Sequence, residues 1–392
     1  MWSDLWAGGR GWILLTVSAG WFLSIGVRYI YPSVLPFLRE TFAMDFTTAG
    51  LLLSTLWLAY ALGQFPGGVL GDRIGEGNIL VASTAVSTIA ILLVATSVNV
   101  VMLFVATAGF GFATGLYGPH RFTIFTDIYS ARSGTAVGIT MAAGSIGNTV
   151  LPAVAAVIAG YTTWRLGFGA LIPVFVAVFV AIYLVVPART SNSTADTETF
   201  SRNTLRRVAG SIAGRGIPVV VSVHIVLAFV SNGFLGFYPT YLIEVKGFSP
   251  QMAAILFGSY FAFGVAIQPL TGLLRDRFGS RWSLTLVAGM LFIGLALLQI
   301  GDTVVHILLL TVLISHRNGV GVVTNTYIAD TLDDDIKGSG LGLLRTSWIL
   351  VGALSPLFVG FLGDFGQLNL AFLVLTGVAG VAVALALLIP SE

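Results

Sequence analysis

Residues 68–75 read GVLGDRIG, and residues 272–279 read GLLRDRFG. The two stretches share Gly68 with Gly272, Asp72 with Asp276, Arg73 with Arg277 and Gly75 with Gly279, all at one offset of about 204 positions. Working outward at the same ungapped offset, Glu40 falls on Glu244, Gln64 on Gln268, Gly134 on Gly338, Gly138 on Gly342, Pro152 on Pro356 and Phe168 on Phe372. Apolar coincidences are cheap in an apolar chain, but charged, Gln and Pro coincidences at one offset are not. The chain is an internal, parallel duplication.

What is duplicated follows from composition. Of 392 residues, 56% are hydrophobic and only 9% are charged, against about 25% charged in an average soluble chain. So little charge cannot cover a water-facing surface. A bilayer span needs about 20 apolar residues, and apolar runs lie near 12–37, 47–70, 78–97, 100–125, 134–160, 165–186, 217–243, 251–274, 282–300, 304–329, 338–362 and 368–389. The fold class read from these is all-α and polytopic, with twelve spans in two six-helix bundles, 1–186 and 217–392, joined by a polar linker over 187–216. The linker carries SNSTADTETFSRN and a short amphipathic helix is expected around 205–212. With the amino terminus inside, Arg10, Arg73, Arg132, Arg189, Arg202, Arg206, Arg207, Arg215, Arg275, Arg277, Arg281 and Lys337 share the cytoplasmic side, while only Arg39, Arg165 and Lys246 fall outside. That asymmetry predicts both termini in the cytoplasm. Two homologous bundles related by an axis along the membrane normal are a standard way to build a secondary transporter, with its site between them near midplane.

Composition also excludes. No cysteine means no disulfide, thiolate metal site or thiol nucleophile. The net charge of +2 is spread thinly, leaving no basic stripe for nucleic acid. No Ser-His-Asp set, metal cluster or phosphate-cradling loop stands out, so neither catalysis nor a cofactor is expected.

The paired stretches resemble the G-x-L-x-D-R-x-G signature of the major facilitator superfamily, in both copies and with the linker and duplication in place. The resemblance implies a multi-pass transporter of the cell (cytoplasmic) membrane, monomeric, working by alternating access. It implies a cytoplasmic gate at Gly68, Asp72, Arg73 and Gly75 and at Gly272, Asp276, Arg277 and Gly279, with Asp72 toward the helix beginning near Gly338 and Asp276 toward the one beginning near Gly134. The fifth span reads Gly144-Ser-Ile-Gly147-Asn148-Thr-Val-Leu-Pro152 and departs from the Gly-Pro pairing of the superfamily's exchangers, which argues against a drug/proton antiporter.

Ionisable groups inside a bilayer cost at least about 2.5 to 3.5 kcal/mol, so each needs a partner, water or a route to the interface. Here they are Arg28, His120, Arg121, His224, His316, Arg317 and Arg345, whereas Asp45, Asp127, Glu244, Asp302 and Asp330 sit near span ends. An anion in a wet cavity would resolve the imbalance, because a guanidinium donates two parallel hydrogen bonds and stays charged. In the superfamily's common architecture the first, fourth, seventh and tenth spans line the cavity, and all of these residues except Arg345 lie on those four. The expected substrate-binding set is Arg28, Tyr31, Arg121, Asn232, Arg317, Arg345 and Trp348, with His120 and His316 as candidates for carrying a coupling proton. The expected partner is a small organic or inorganic anion, together with a coupling proton or cation and the lipid bilayer. The pattern loosely resembles the superfamily's organic-anion and organophosphate members. Two other readings stay open: export of an apolar or cationic compound, with the arginines structural, and a nontransporting scaffold or receptor on the same fold.

Overall fold

The computed structural model describes residues 3–129, 132–190, 216–332 and 337–390. Most of the linker, including the amphipathic helix expected over 205–212, and the side chains of Asp72 and Lys337 lie outside the described residues. Among those described, eleven helices are long and apolar enough to cross a membrane: α1 Arg10–Phe42, α2 Phe46–Ile74, α3 Glu76–Ala95, α4 Val100–Ile128, α5 Ser133–Tyr161, α6 Trp164–Val185, α7 Ile217–Glu244, α8 Pro250–Leu298, α9 Val304–Thr331, α10 Lys337–Asp364 and α11 Leu368–Ala386. The count differs from twelve because α8 runs 49 residues, well over the roughly 20 a span needs. It is broken at Gly279, whose φ of 76° and ψ of 172° are not helical. Gly75 holds a similar left-handed φ of 93° between α2 and α3. Only glycine adopts these angles without strain, which explains why the last glycine occurs in both copies of the motif.

The chain divides into two compact units. Unit 1 comprises residues 1–44 and 55–197; unit 2 comprises 45–54 and 198–392. In unit 1, α1 packs on α5, and α3 packs on both α4 and α6. In unit 2, α7 packs on α10 and α11, and α8 packs on α9 and α11. The pairing α1 with α5 returns as α7 with α10, as the duplication requires.

Small residues set these approaches. Apolar tails solvate a helix as well as another helix does, so bundle cohesion comes from close packing. A Cβ on Gly111 would strike the carbonyl oxygen of Leu56, and one on Gly115 that of Tyr60; α4 therefore touches α2 backbone to backbone. Gly147 does the same for α5 against Phe22 of α1. Two helices are interrupted at functional depth. A 3-10 turn spans Val27–Tyr29 in α1, and another spans His316–Gly319 in α9, and each holds one of the arginines predicted to meet substrate.

Candidate functional site

In unit 1 the site is organised by Trp21. Its ring occupies the space that a Cβ on Gly144 of α5 would fill, so the glycine-rich stretch on the fifth span seats an indole. The Arg121 guanidinium carbon lies 3.4 Å from the centroid of that ring and the Arg28 carbon 5.5 Å from it. Arg28 is also 4.0 Å from the Tyr60 centroid and 5.3 Å from that of Trp57. Tyr117 lies near-parallel to Trp21 at 6.5 Å and donates its hydroxyl to the Val17 carbonyl at 2.8 Å. Both arginines are buried, with 2% of Arg28 and 1% of Arg121 exposed.

Their hydrogen bonds go mostly to backbone. Arg28 Nε donates to Ser24 O at 3.0 Å, one turn back, and Arg121 donates to Gly118 O at 2.6 Å and reaches Met141 Sδ at 3.7 Å. Among the described residues Arg28 has no ion-pair partner, and its terminal Nη2 is buried with no hydrogen-bond partner. Because both guanidinium carbons neighbour one ring, they are at most about 9 Å apart, which at an effective dielectric near 20 is a repulsion of roughly 2 kcal/mol. Aromatic faces return about 0.5 to 2 kcal/mol per cation. Summed over two cations that is comparable to the repulsion, so the faces offset it, and they leave the desolvated Arg28 donor unanswered. An oxyanion answers it.

Tyr31 is not in this cluster. It is fully buried and points at Phe168, 5.0 Å away, and Phe110, 6.4 Å away. Arg28 stands in the 3-10 turn and Tyr31 in the α-helical stretch after it, and their side chains enter different grooves. His120 is buried and its Nε2 faces Gly67 O at 2.8 Å. A carbonyl only accepts, so that nitrogen carries the proton. A Cβ on Gly71 would collide with the ring, so His120 is wedged into a glycine notch of α2.

Unit 2 carries a second polar cluster. His224 stacks face to face on Trp348 at 4.0 Å and 12°. Its Nδ1 is 2.7 Å from Thr324 Oγ1, whose own hydrogen goes to Val320 O at 2.9 Å; the imidazole is therefore the donor to threonine. Arg317 Nε donates to Leu227 O at 3.0 Å, and Arg317 and Arg345 both act electrostatically on His224. Arg345 itself is exposed. His316 Nδ1 donates to the carbonyls of Val312 and Leu313 at 3.0 and 3.1 Å, which leaves Nε2 as the acceptor nitrogen of the neutral ring. Asn232 is half-buried with its amide nitrogen over Gly352, where a Cβ would come within 2.7 Å of it.

At the loop corners, Arg73 and Arg277 are exposed, and Arg73 O accepts from Arg189 at 2.9 Å. Asp276 is exposed and lies 3.8 Å from Arg275. Gly68 and Gly272 leave open or ordinary space around a hypothetical Cβ. Sequence reasoning missed Trp21, Trp57, Tyr60 and Met141. Trp21, Ser24 and Arg28 stand at i, i+3 and i+7, and Trp57 and Tyr60 at i and i+3, so helical spacing contained the signal. The pairing of the two faces did not. A buried Glu76 was also missed; it accepts the Thr190 amide at 3.1 Å.

Comparison with known proteins bears on this geometry. The sequence profile described as Major Facilitator Superfamily matches residues 17–323 and, again, 220–392. The chain is 26% identical over 377 residues to a probable sulfoacetate transporter of Cupriavidus necator, covering 90% of this chain and 87% of the relative. It is 25% identical over 352 residues to the cis,cis-muconate transport protein of Acinetobacter baylyi, covering 86% and 84%. Among solved structures, a bacterial homologue of the human lysosomal transporter Spinster, inward-facing and occupied, superposes with a TM-score of 0.83 at 16% identity, covering 97% of this chain and 96% of that one.

Proposed function

The chain belongs to the Major Facilitator Superfamily and is a membrane transporter with organic-anion transporters among its relatives, and from that premise we propose that it is a secondary active transporter of a small organic anion. The observation that carries the cargo's sign is the buried Arg28 terminal nitrogen, which has no hydrogen-bond partner and sits with Arg121 around one indole. Arg28 and Arg121 bind the anion, and Arg317 and Arg345 are further anion-binding candidates. Sulfoacetate and muconate are both small dianions, and two guanidinium groups around one shelf suit such a solute.

The architecture proposed with it is twelve spans, with α8 crossing twice about Gly279, both termini in the cytoplasm of a plasma-membrane monomer, and bundles at 1–186 and 217–392 about a linker at 187–216. Transport proceeds by alternating access. The coupling ion is a proton taken up at His316 Nε2, since His120 is held in its notch by packing. The motif copies at Gly68, Asp72, Arg73 and Gly75 and at Gly272, Asp276, Arg277 and Gly279 act as the gate.

Uptake into proteoliposomes tests the reading. Labelled sulfoacetate or muconate should accumulate, other small dianions should compete, and Arg28→Gln should lower uptake at least tenfold. Failure to move any carboxylate, sulfonate, phosphate or nitrate, with a lipophilic cation transported instead, would overturn it.

A further inference from the structure

The two copies of the motif corner are built for different neighbours. In unit 1 the corner is filled by the chain itself. A Cβ on Gly75 or Gly77 would collide with the carbonyls of Ala188 and Pro187, the Gly77 amide donates to Ala188 O at 3.1 Å, and Thr190 bonds Glu76 through its amide and Asp127 through its hydroxyl. The repeat offset maps Gly71 to Arg275, Ile74 to Phe278, Glu76 to Ser280, Gly77 to Arg281 and Asn78 to Trp282. Four of the five replacements exchange a glycine, a carboxylate or an amide for an arginine, a hydroxyl or an indole, and the fifth exchanges an aliphatic side chain for a phenyl ring.

The result in unit 2 is a cavity of about 580 Å³ lined by three arginines, Arg275, Arg277 and Arg281, against one carboxylate, Asp276, together with Gly279, Ser280, Phe278 and Trp282. Arg275 is engaged by Asp276 and Asp330. Arg277 and Arg281 have no ion-pair partner among the described residues, and Arg281 Nε is buried without a hydrogen-bond partner. Their guanidinium groups lie over Phe278 and Trp282 at 5.4 and 5.6 Å. Phe278 and Trp282 also wall a second cavity of about 280 Å³, which is almost wholly apolar and is lined further by Leu274 before the break at Gly279 and by Ser283 and Leu286 after it. A cationic chamber opening onto an apolar furrow across a shared pair of exposed aromatic rings matches an amphiphile with an anionic head and a hydrocarbon tail. Trp at such a boundary sits at headgroup level, and clustered arginines at a span end attract anionic lipid.

We propose that residues 274–286 form a binding site for an anionic phospholipid, its phosphate on Arg277 and Arg281 and an acyl chain in the furrow beside Leu274 and Leu286. The site is separate from the arginines that bind cargo, and it does not depend on the cargo's identity.

Native mass spectrometry of the full-length protein, released from nanodiscs holding equal phosphatidylglycerol and phosphatidylcholine of matched chains, tests it. The wild type should retain phosphatidylglycerol preferentially. The preference should fall about fivefold for each arginine removed in Arg277→Gln and Arg281→Gln, survive in the Arg277→Lys/Arg281→Lys double variant, and be untouched by Arg73→Gln in the other copy. Trp282→Ala should weaken retention of both lipids. Equal retention of the two lipids by the wild type overturns the proposal without recourse to any variant. So does displacement of phosphatidylglycerol by millimolar inorganic phosphate, which would make the chamber a site for the free ion, and so does a preference unchanged in the double glutamine variant.

Discussion

At the scale of the residue, the decisive feature is that two desolvated arginines share one indole. Trp21→Ala removes about 0.5 to 2 kcal/mol of cation–π attraction from each, and anion uptake should drop several-fold while the protein still elutes as a folded species on gel filtration. Gly144→Val should reproduce that loss from the opposite direction, because its side chain takes the volume the ring now occupies; normal uptake by this variant would show that the ring's position is immaterial. His316→Gln keeps a donor for the Val312 and Leu313 carbonyls and removes the imidazole. Its uptake should no longer respond to an imposed proton gradient, and a response equal to wild type would place the coupling proton elsewhere.

At the scale of the element, glycine notches and one borrowed cap hold helices where the side chains need them. The α2–α4 crossing at Gly111 and Gly115 brings Trp57 and Tyr60 up to Arg28, so overpacking it with Gly111→Val costs about 1 to 3 kcal/mol and should lower the thermal midpoint in detergent. The first residues of α2 are capped from α10: the Asp364 carboxylate accepts the amides of Phe46 at 2.6 Å and Thr47 at 2.9 Å, and the Thr47 hydroxyl. A carboxylate at the carboxyl end of its own helix is disfavoured by that helix's dipole but favoured at the start of another. Asp364→Ala should therefore destabilise by about 1 kcal/mol, read as a lower midpoint, and an unchanged midpoint would mean that solvent replaces the cap at no cost.

At the scale of the whole molecule, topology is open to direct test because the chain has no native cysteine. Single cysteines at Ser193 in the linker and at Thr162 between α5 and α6 should react with a membrane-impermeant maleimide from opposite faces of a right-side-out vesicle, Thr162→Cys from outside and Ser193→Cys only after permeabilisation. The sequence by itself determined the membrane class, the family, the duplication and the cationic bias of the spans, because charge scarcity, run length and a fixed offset are properties of the linear chain. It also marked Arg28, Arg121 and Arg317. What only the tertiary structure decided was company: that Arg28 and Arg121 converge on Trp21 while Tyr31 turns toward Phe168, that His120 is wedged against α2, that Arg345 stands exposed, and that one motif corner is plugged by Pro187 to Thr190 while its counterpart, among the described residues, holds a cavity. The reason is physical. Helical periodicity fixes which side chains share a face, but which face meets which is set by where two backbones can approach, and in this chain that is settled by glycines whose partners lie on other helices.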